Sequence, residues 1–473
     1  MLRGVFDRLH DPRRPIEPPY PSTKPSKAEQ LGDDDPDPRI ESDARLLLKH
    51  APPGPCYDNL KNNVATRLMR TKLNAWPDGT PDFVSHHVLR DYIQDTARKC
   101  GADSVTIYGA RVLRVRKVDD DSGSKWEVTW STLRQQQQQQ WQEERHHSTF
   151  DAVVVASGHY HAPRIPDIPG LAESKARWPA RIWHSKVYRN PEGFENKNVL
   201  LLGAGVSSTD IARELGPVAR EIYQSSRNGL FDLPASALPE NGIRVSEVES
   251  FEITEKGNTA DSTLSSDSPL PLIVHLKSGQ KLCDIHAIIL CTGYHITLPF
   301  LPDYHDDETS PADASDTVLV TDGTQVHNLH KDIFYIPDPT LAFVGVPYYT
   351  ATFTLFEFQA IVVAAVFSGN AQLPEQSKQR EEYRAKLAAK GVGRVFHSLH
   401  NQEEEYVRDL LDWINRDGAA HGRPPVEGHT PTWLKAKEEQ LERMKALFGV
   451  PGEKKESSDV IVAPLVRRAH LLS

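Results

Sequence analysis

A continuous apolar run, Val199-Leu200-Leu201-Leu202, enters Gly203-Ala204-Gly205 and is followed at once by Val206-Ser207-Ser208-Thr209-Asp210-Ile211-Ala212. Few folds accept that order. A strand without polar interruption is buried on both faces, as in a parallel sheet covered by helices. The glycines after it read as strand, tight turn, helix: Gly203 permits the turn, and Gly205 lets backbone approach a pyrophosphate at the helix N-terminus. Ser207 falls in the first helical turn. Ser208 stands where the third glycine of a GxGxxG pattern serves close helix–strand packing, and serine is small enough for that place. Ile211, Ala212 and Leu215 then give the helix one apolar face. The other reading of these residues is a glycine turn that binds nothing.

The strand that follows, Glu221-Ile222-Tyr223-Gln224, ends in Ser225-Ser226-Arg227. A reader of a ribose 2′-hydroxyl would be Asp or Glu, about 20 residues past the glycines. Hydroxyls and a guanidinium suit a 2′-phosphate instead, so NADP is expected over NAD. A solvent-facing Arg227 is the alternative.

Three more strands share the apolar, small-residue ending. Phe150–Ala156 runs into Ser157-Gly158, Ala287–Leu290 into Cys291-Thr292-Gly293-Tyr294, and 341–344 into Gly345. Shorter strands are expected over 105–108, 112–118 and 126–130, and a helix from Ser85 through Ala97 with Gly101 ending it. Helical periodicity dominates over 356–367, 382–389, 403–414 and 431–447. The pattern is α/β and doubly wound with a helical C-terminal tail. Residues 10–55, rich in Pro and acids, read as an extended segment wrapping a surface. The Gln135–Gln140 tract and the polar stretch to Ser148 read as a solvated insertion.

Composition excludes several classes. With 55 Lys+Arg against 65 Asp+Glu and a net charge of −10, a nucleic-acid surface is not expected. No window of about 18 apolar residues offers a transmembrane helix. The four cysteines include no CxxC pair, which argues against a disulfide scaffold or a zinc site, and no metal ligand set is identified. His86-His87 and His146-His147 lack ligand partners at useful spacing. A cytoplasmic enzyme is the expectation.

Together these pieces resemble the flavin-containing monooxygenases, class B flavin-dependent enzymes, and among them the fungal type. Trp178-Pro179-Ala180-Arg181-Ile182-Trp183-His184-Ser185-Lys186-Val187-Tyr188 resembles their FxGxxxHxxxY signature, with Trp for Phe and Ala for Gly. Ala156-Ser157-Gly158 and Cys291-Thr292-Gly293 resemble the ATG-type strand ends that join the two nucleotide domains. Tyr57-Asp58-Asn59-Leu60-Lys61-Asn62-Asn63 resembles YxxLxTN, and Phe343-Val344-Gly345 through Gln359 resembles the strand and helix beside the flavin.

The resemblance implies FAD and NADP as cofactors and two dinucleotide-binding domains. Residues 1–176 would be the first part of the FAD domain, 177–295 an inserted NADP domain, and 296–473 the rest of the FAD domain with the helical region. Arg3-Gly4-Val5-Phe6 resembles the GGxW stretch that follows the family's first GxGxxG unit, so the chain reads as beginning one βαβ unit late. The implied reaction uses NADPH and O2 to oxygenate a nitrogen or sulfur centre of a small molecule through a flavin C4a-hydroperoxide, in secondary metabolism. The cofactor carries that chemistry and the protein orients it. Asn63 would face the flavin, Gln359 would contact its ring, and His184, Thr292 and Gly293 would lie at the hinge near NADP. Tyr188 resembles nitrogen- and sulfur-oxygenating members more than Baeyer–Villiger enzymes, which favour Trp there. A Baeyer–Villiger enzyme and a non-catalytic NADP-binding homologue are the competing readings.

Overall fold

The computed structural model describes residues 14–29, 42–120, 123–135, 140–254, 265 and 267–448. Arg3-Gly4-Val5-Phe6, the middle of the glutamine tract and 460–473 lie outside the described residues. The strand Asn198–Leu202 is buried at every position. It is the central strand of a five-stranded parallel sheet ordered Ile182–His184, Ala287–Leu290, Asn198–Leu202, Glu221–Ser225, Gly242–Val245. Side chains alternate across a strand. Val199 and Leu201 therefore meet Ile211, Ala212 and Leu215 of the helix Val206–Leu215 on one face. Leu200 and Leu202 meet Leu272, Val274 and Leu276 of an antiparallel sheet on the other. Each such buried aliphatic side chain contributes about 1.5–3 kcal/mol, which is why the run tolerates no polar residue.

A second α/β unit is built around Val153–Val155. It pairs in parallel with Leu341–Phe343, which continues antiparallel through Phe334–Tyr335 and Leu329–His330. Among the described residues Val153–Val155 has a strand neighbour on that side only, and Val154 is 44% exposed. Helices Thr352–Phe367 and Glu403–Ala419 close over this unit through Leu355, Phe358, Val362, Leu410 and Trp413. The two linkers between the units, Ala162–Pro163 and Tyr294–His295, pair antiparallel with each other.

Within the second unit lies a buried charge group. Asp332, 1% exposed, accepts from Lys386 Nζ at 2.5 and 2.6 Å and pairs with His397 Nδ1 at 2.9 Å. Burial pushes its carboxyl pKa up, but the Lys386 ammonium and His397 outweigh it and hold the acid well below the usual range. Asp332 also has a φ of +58°, so its backbone is left-handed.

Three expectations fail for local reasons. Residues 105–108 form no strand: Gly101 and Gly109 both turn the chain at positive φ, and Val105 and Ile107 are left 82% and 62% exposed. Residues 141–148 are not a loop but part of the strand Trp141–Phe150. It pairs along its length with Gly123–Gln135, because a hairpin edge with both faces wet accepts polar side chains. The described parts of 10–55 do not simply wrap a surface. Ser22 is fully buried, donating to Pro163 O at 2.9 Å and pairing its backbone with Ile165. Glu17 accepts from the His184 N–H at 2.7 Å and from Lys175. No helix among the described residues is long and apolar enough to cross a membrane.

Candidate functional site

The Gly203 turn is sterically exclusive. Its φ is +109°, and a Cβ there would sit 2.5 Å from Cys291 O. The turn is pinned on both sides, Gly203 N–H to Ser225 O at 2.9 Å and Cys291 N–H to Leu202 O at 2.8 Å. Gly205, extended at φ −82°, precedes the helix Val206–Leu215, and a Cβ on it would come no nearer than 3.9 Å to the rest of the chain beyond its own helix and neighbours, at Phe231 O. Ser207 is exposed in the first turn. Ser208 is fully buried, and its Oγ accepts from Gln224 Nε2 at 2.7 Å, so helix and strand are joined by a hydrogen bond as well as by close packing. The helix N-terminus, with its unpaired N–H groups and positive dipole end, suits an anion.

At the end of the neighbouring strand the side chains divide their roles. Ser226 Oγ donates to Asp232 Oδ2 at 2.6 Å and accepts from Asn228 N–H at 2.9 Å. It organises the 226–232 loop and leaves the exposed Arg227 as the group this loop presents. The loop is tied back to the glycine turn by Leu233 N–H to Ala204 O at 2.8 Å. Phe231 stacks on Tyr349 with ring centroids 5.8 Å apart, bringing the loop against the second unit.

The linkers cross at Gly293. Its carbonyl accepts the Arg164 N–H at 2.9 Å and lies 3.0 Å from His184 Nε2. His184 Nδ1 accepts from Lys186 N–H at 3.1 Å, which assigns the imidazole proton to Nε2 and makes it the donor to Gly293. Burial pushes His184 down to about 3, so it is a neutral latch on the linker. Thr292 Oγ1 donates to Arg164 O at 2.5 Å. Tyr188 is 1% exposed and donates to Glu214 Oε2 at 2.8 Å, while Tyr57 donates to Asp210 Oδ2 at 3.1 Å. Both carboxylates lie on the Val206–Leu215 helix and are pushed up by burial. The 57–63 segment is thereby joined to the nucleotide helix. Tyr188→Phe is expected to cost about 1 kcal/mol, the loss of one hydrogen bond from a buried hydroxyl to a half-buried carboxylate. A denaturant midpoint equal to that of the wild type would refute this.

Asn63 is exposed, whereas Asn62 is buried. Asn62 donates to Val64 O and Asp82 O at 2.6 and 2.7 Å and accepts from Val84 N–H at 2.6 Å, fixing the turn from which Asn63 projects. Gln359 is wholly buried. Its Oε1 accepts from Gly345 N–H at 2.9 Å and its Nε2 donates to Tyr406 Oη at 2.8 Å. Both ends of that amide are occupied, and what they position is the Gly345 turn. Ala156, Ser157 and Gly158 are exposed at the end of their strand, and a Cβ on Gly158 would meet nothing within 4 Å. An open strand end with small residues fits the approach of a dinucleotide. Sequence reasoning missed the Asn62, Asp210 and Glu214 contacts, and it missed Arg394, whose guanidinium lies 3.2 Å from where a Gly293 Cβ would be.

The family profile described as flavin-binding monooxygenase-like matches residues 54–242. The chain is 54% identical over 442 residues to the flavin-containing monooxygenase ustF2 of Aspergillus flavus, covering 93% of this chain and 87% of that one. It is 47% identical over 409 residues to ustF1 of the same fungus, covering 86% and 83%. Its fold is similar to the structure of the S-allyl-L-cysteine S-oxygenase of Allium sativum, with a TM-score of 0.59 at 24% identity over 83% of this chain and 79% of that one.

Proposed function

The chain belongs to the flavin-containing monooxygenase family, and from that premise we propose that it uses NADPH and O2 to oxygenate a nitrogen or sulfur centre of a small molecule. Members of the family are enzymes that use FAD and NADPH. The observation that carries the reading is the pairing of the Gly203–Gly205 turn with a strand end that presents Arg227 and no carboxylate. FAD, when bound, supplies hydride acceptance and the activation of oxygen.

The chain's own residues bind, orient and exclude water. Gly205 and the N–H groups of the first helical turn, Ser207 among them, would hold the pyrophosphate. Arg227 would take the 2′-phosphate through charge-assisted bonds. Ser226 and Ser208 support these contacts by fixing the loop and the helix. Asn63 would present its amide to the flavin edge. Gln359 would hold the Gly345 N–H in place beside it, and His184, Thr292 and Gly293 would set the angle of the linkers. Residues 177–295 act in this reading as the NADP unit, the flanking segments as the FAD unit. The fungal relatives support a place in secondary metabolism.

NADPH consumption and oxygen incorporation, measured on FAD-supplemented protein with tertiary amines and thioethers, test the reaction. An oxygen atom from labelled O2 in an N-oxide or S-oxide is the expected result, and a lactone or ester from a ketone instead would overturn it. Arg227→Gln is expected to raise KM for NADPH about 10–100-fold, the value of one charged hydrogen bond, and to leave KM for NADH unmoved. Equal effects on both coenzymes would remove Arg227 from the phosphate site.

A further inference from the structure

The helix Pro431–Phe448 turns an unexpectedly polar stripe to the protein. Trp433 and Ala436 are buried and Lys437 and Gln440 half-buried, while Lys435, Glu438 and Glu439 are exposed. Those four positions follow the i, i+3, i+4, i+7 spacing of one helix face. A helix that only covered apolar surface would put its leucines on that face. Leu434 and Leu441 are instead 40% and 41% exposed, and a lysine and an amide stand inward.

What the stripe touches accounts for its polarity. Gln440 Oε1 accepts the N–H of Ala65, a residue 2% exposed, at 2.8 Å. The turn itself leaves this donor unspent: its backbone bonds run from the Thr66, Leu68 and Met69 N–H groups to the carbonyls of Asp82, Ala65 and Thr66. Ala65 lies two residues past Asn63, so the acceptor from position 440 fixes the exit of the turn from which Asn63 projects. Trp433 Nε1 donates to Leu68 O at 3.1 Å, an oxygen that Thr354 Oγ1 also serves at 2.6 Å. Lys437 Nζ meets Glu403 Oε2 at 2.9 Å, and Glu403 Oε1 accepts the Ala351 N–H at 2.8 Å. Ala351 follows the Gly345 turn and precedes the helix Thr352–Phe367. Ala65, Leu68, Ala351, Trp433 and Ala436 pack as one small core. The bridges of Arg67 to Asp82 and Glu439 lie at the surface and add little. A buried N–H without its acceptor loses far more, which makes Gln440 the contact the turn depends on.

We propose that Gln440 and Lys437 are positioning residues: through Ala65, and through Glu403 to Ala351, the helix Pro431–Phe448 holds the Asn63 turn and the segment after Gly345 in one fixed relation, as two walls of the oxygenation site. This rests on the functional reading in one respect, that these walls face the flavin.

The test compares the full chain as wild type, Gln440→Ala, Gln440→Glu, Lys437→Met and the exposed-face control Glu438→Ala. In FAD-free protein, amide hydrogen exchange over 62–70 is expected to run about tenfold faster in Gln440→Ala, the loss of one buried hydrogen bond, with the strand Asn198–Leu202 unmoved. Gln440→Glu keeps an acceptor oxygen and restores protection. Lys437→Met loosens 348–356 and spares 62–70, and Glu438→Ala matches wild type. With FAD added, Gln440→Ala is expected to retain the flavin about fivefold more weakly and to form less product per NADPH oxidised, at unchanged KM for NADPH. Wild-type exchange over 62–70 in Gln440→Ala overturns the proposal. Faster exchange with unchanged FAD retention and product yield also overturns it, because the helix is then only a brace. Protection lost equally in Asn198–Leu202 makes Gln440 a general stability contact and overturns it as well. A wild type that retains FAD yet oxygenates no amine or thioether fails the functional reading alone, and exchange with FAD retention still judges the helix.

Discussion

Gly203→Ala is expected to abolish NADP+ retention and to lower stability by about 4 kcal/mol. Two costs add at this position. A side chain at positive φ carries strain of about 1–3 kcal/mol, and a Cβ placed 2.5 Å from the backbone oxygen of Cys291 forces the turn away from the neighbouring strand, costing about as much again. Gly193 separates the two terms. Its φ is +84° with nothing within 4 Å of a Cβ, so Gly193→Ala carries the conformational penalty alone, about 1 kcal/mol. Denaturant midpoints of the two variants, with an NADP+ titration on each, decide the matter. Equal destabilisation would mean that the contact with Cys291 does not hold the turn.

Asp332→Asn is expected to cost about 3 kcal/mol although it changes only one functional group. Asn tolerates the left-handed backbone of position 332 as well as Asp does, so the substitution removes charge without adding strain. What remains is the Lys386 ammonium and a fully buried His397 facing a neutral amide, and breaking a buried pair from one side leaves an uncompensated charge. Lys386→Met in the same chain is expected to recover part of the loss. The depressed acid also fixes a pH dependence: its contribution is complete above the unfolded-state value near 4 and is lost as pH falls toward the lower folded-state value. A variant without that acid-side loss, measured by chemical denaturation between about pH 3 and 6, is the expected signature. A wild type lacking it would assign the acid sensitivity elsewhere.

The parallel sheet was legible because it follows one physical rule. Val199–Leu202 and Ala287–Leu290 are apolar on both faces, and each ends in glycine or a small residue where the chain must turn; Leu341–Phe343 of the second unit is apolar in the same way, with Gly345 two positions on. The polar strand Trp141–Phe150 was not, because the burial alternation over 144–149 falls on Glu, Arg, His, His, Ser and Thr, which carry no apolar signal. Nor were the contacts of Glu17 and Ser22, since their partners lie 167 and 141 positions away in the chain. In the site, the glycines announce themselves through steric need. Asn63 and Asn62 differ only in which way the turn points them, and three hydrogen bonds on Asn62 decide that. Arg394 carries no local signal at all. A basic residue near the end of a helix is common, and only the tertiary path of 391–394 brings it beside Gly293.

The hydroxyl at position 208 has an evolutionary corollary. Gln224, fully buried, directs its amide hydrogens to Ser208 at 2.7 Å and Thr209 at 3.3 Å. A glycine at 208 alone would leave that amide only the longer contact to Thr209 in a dry interior, so the three-glycine pattern is disfavoured unless position 224 changes as well. The two sites are epistatic, and the order in which a lineage could exchange them is constrained by one hydrogen bond.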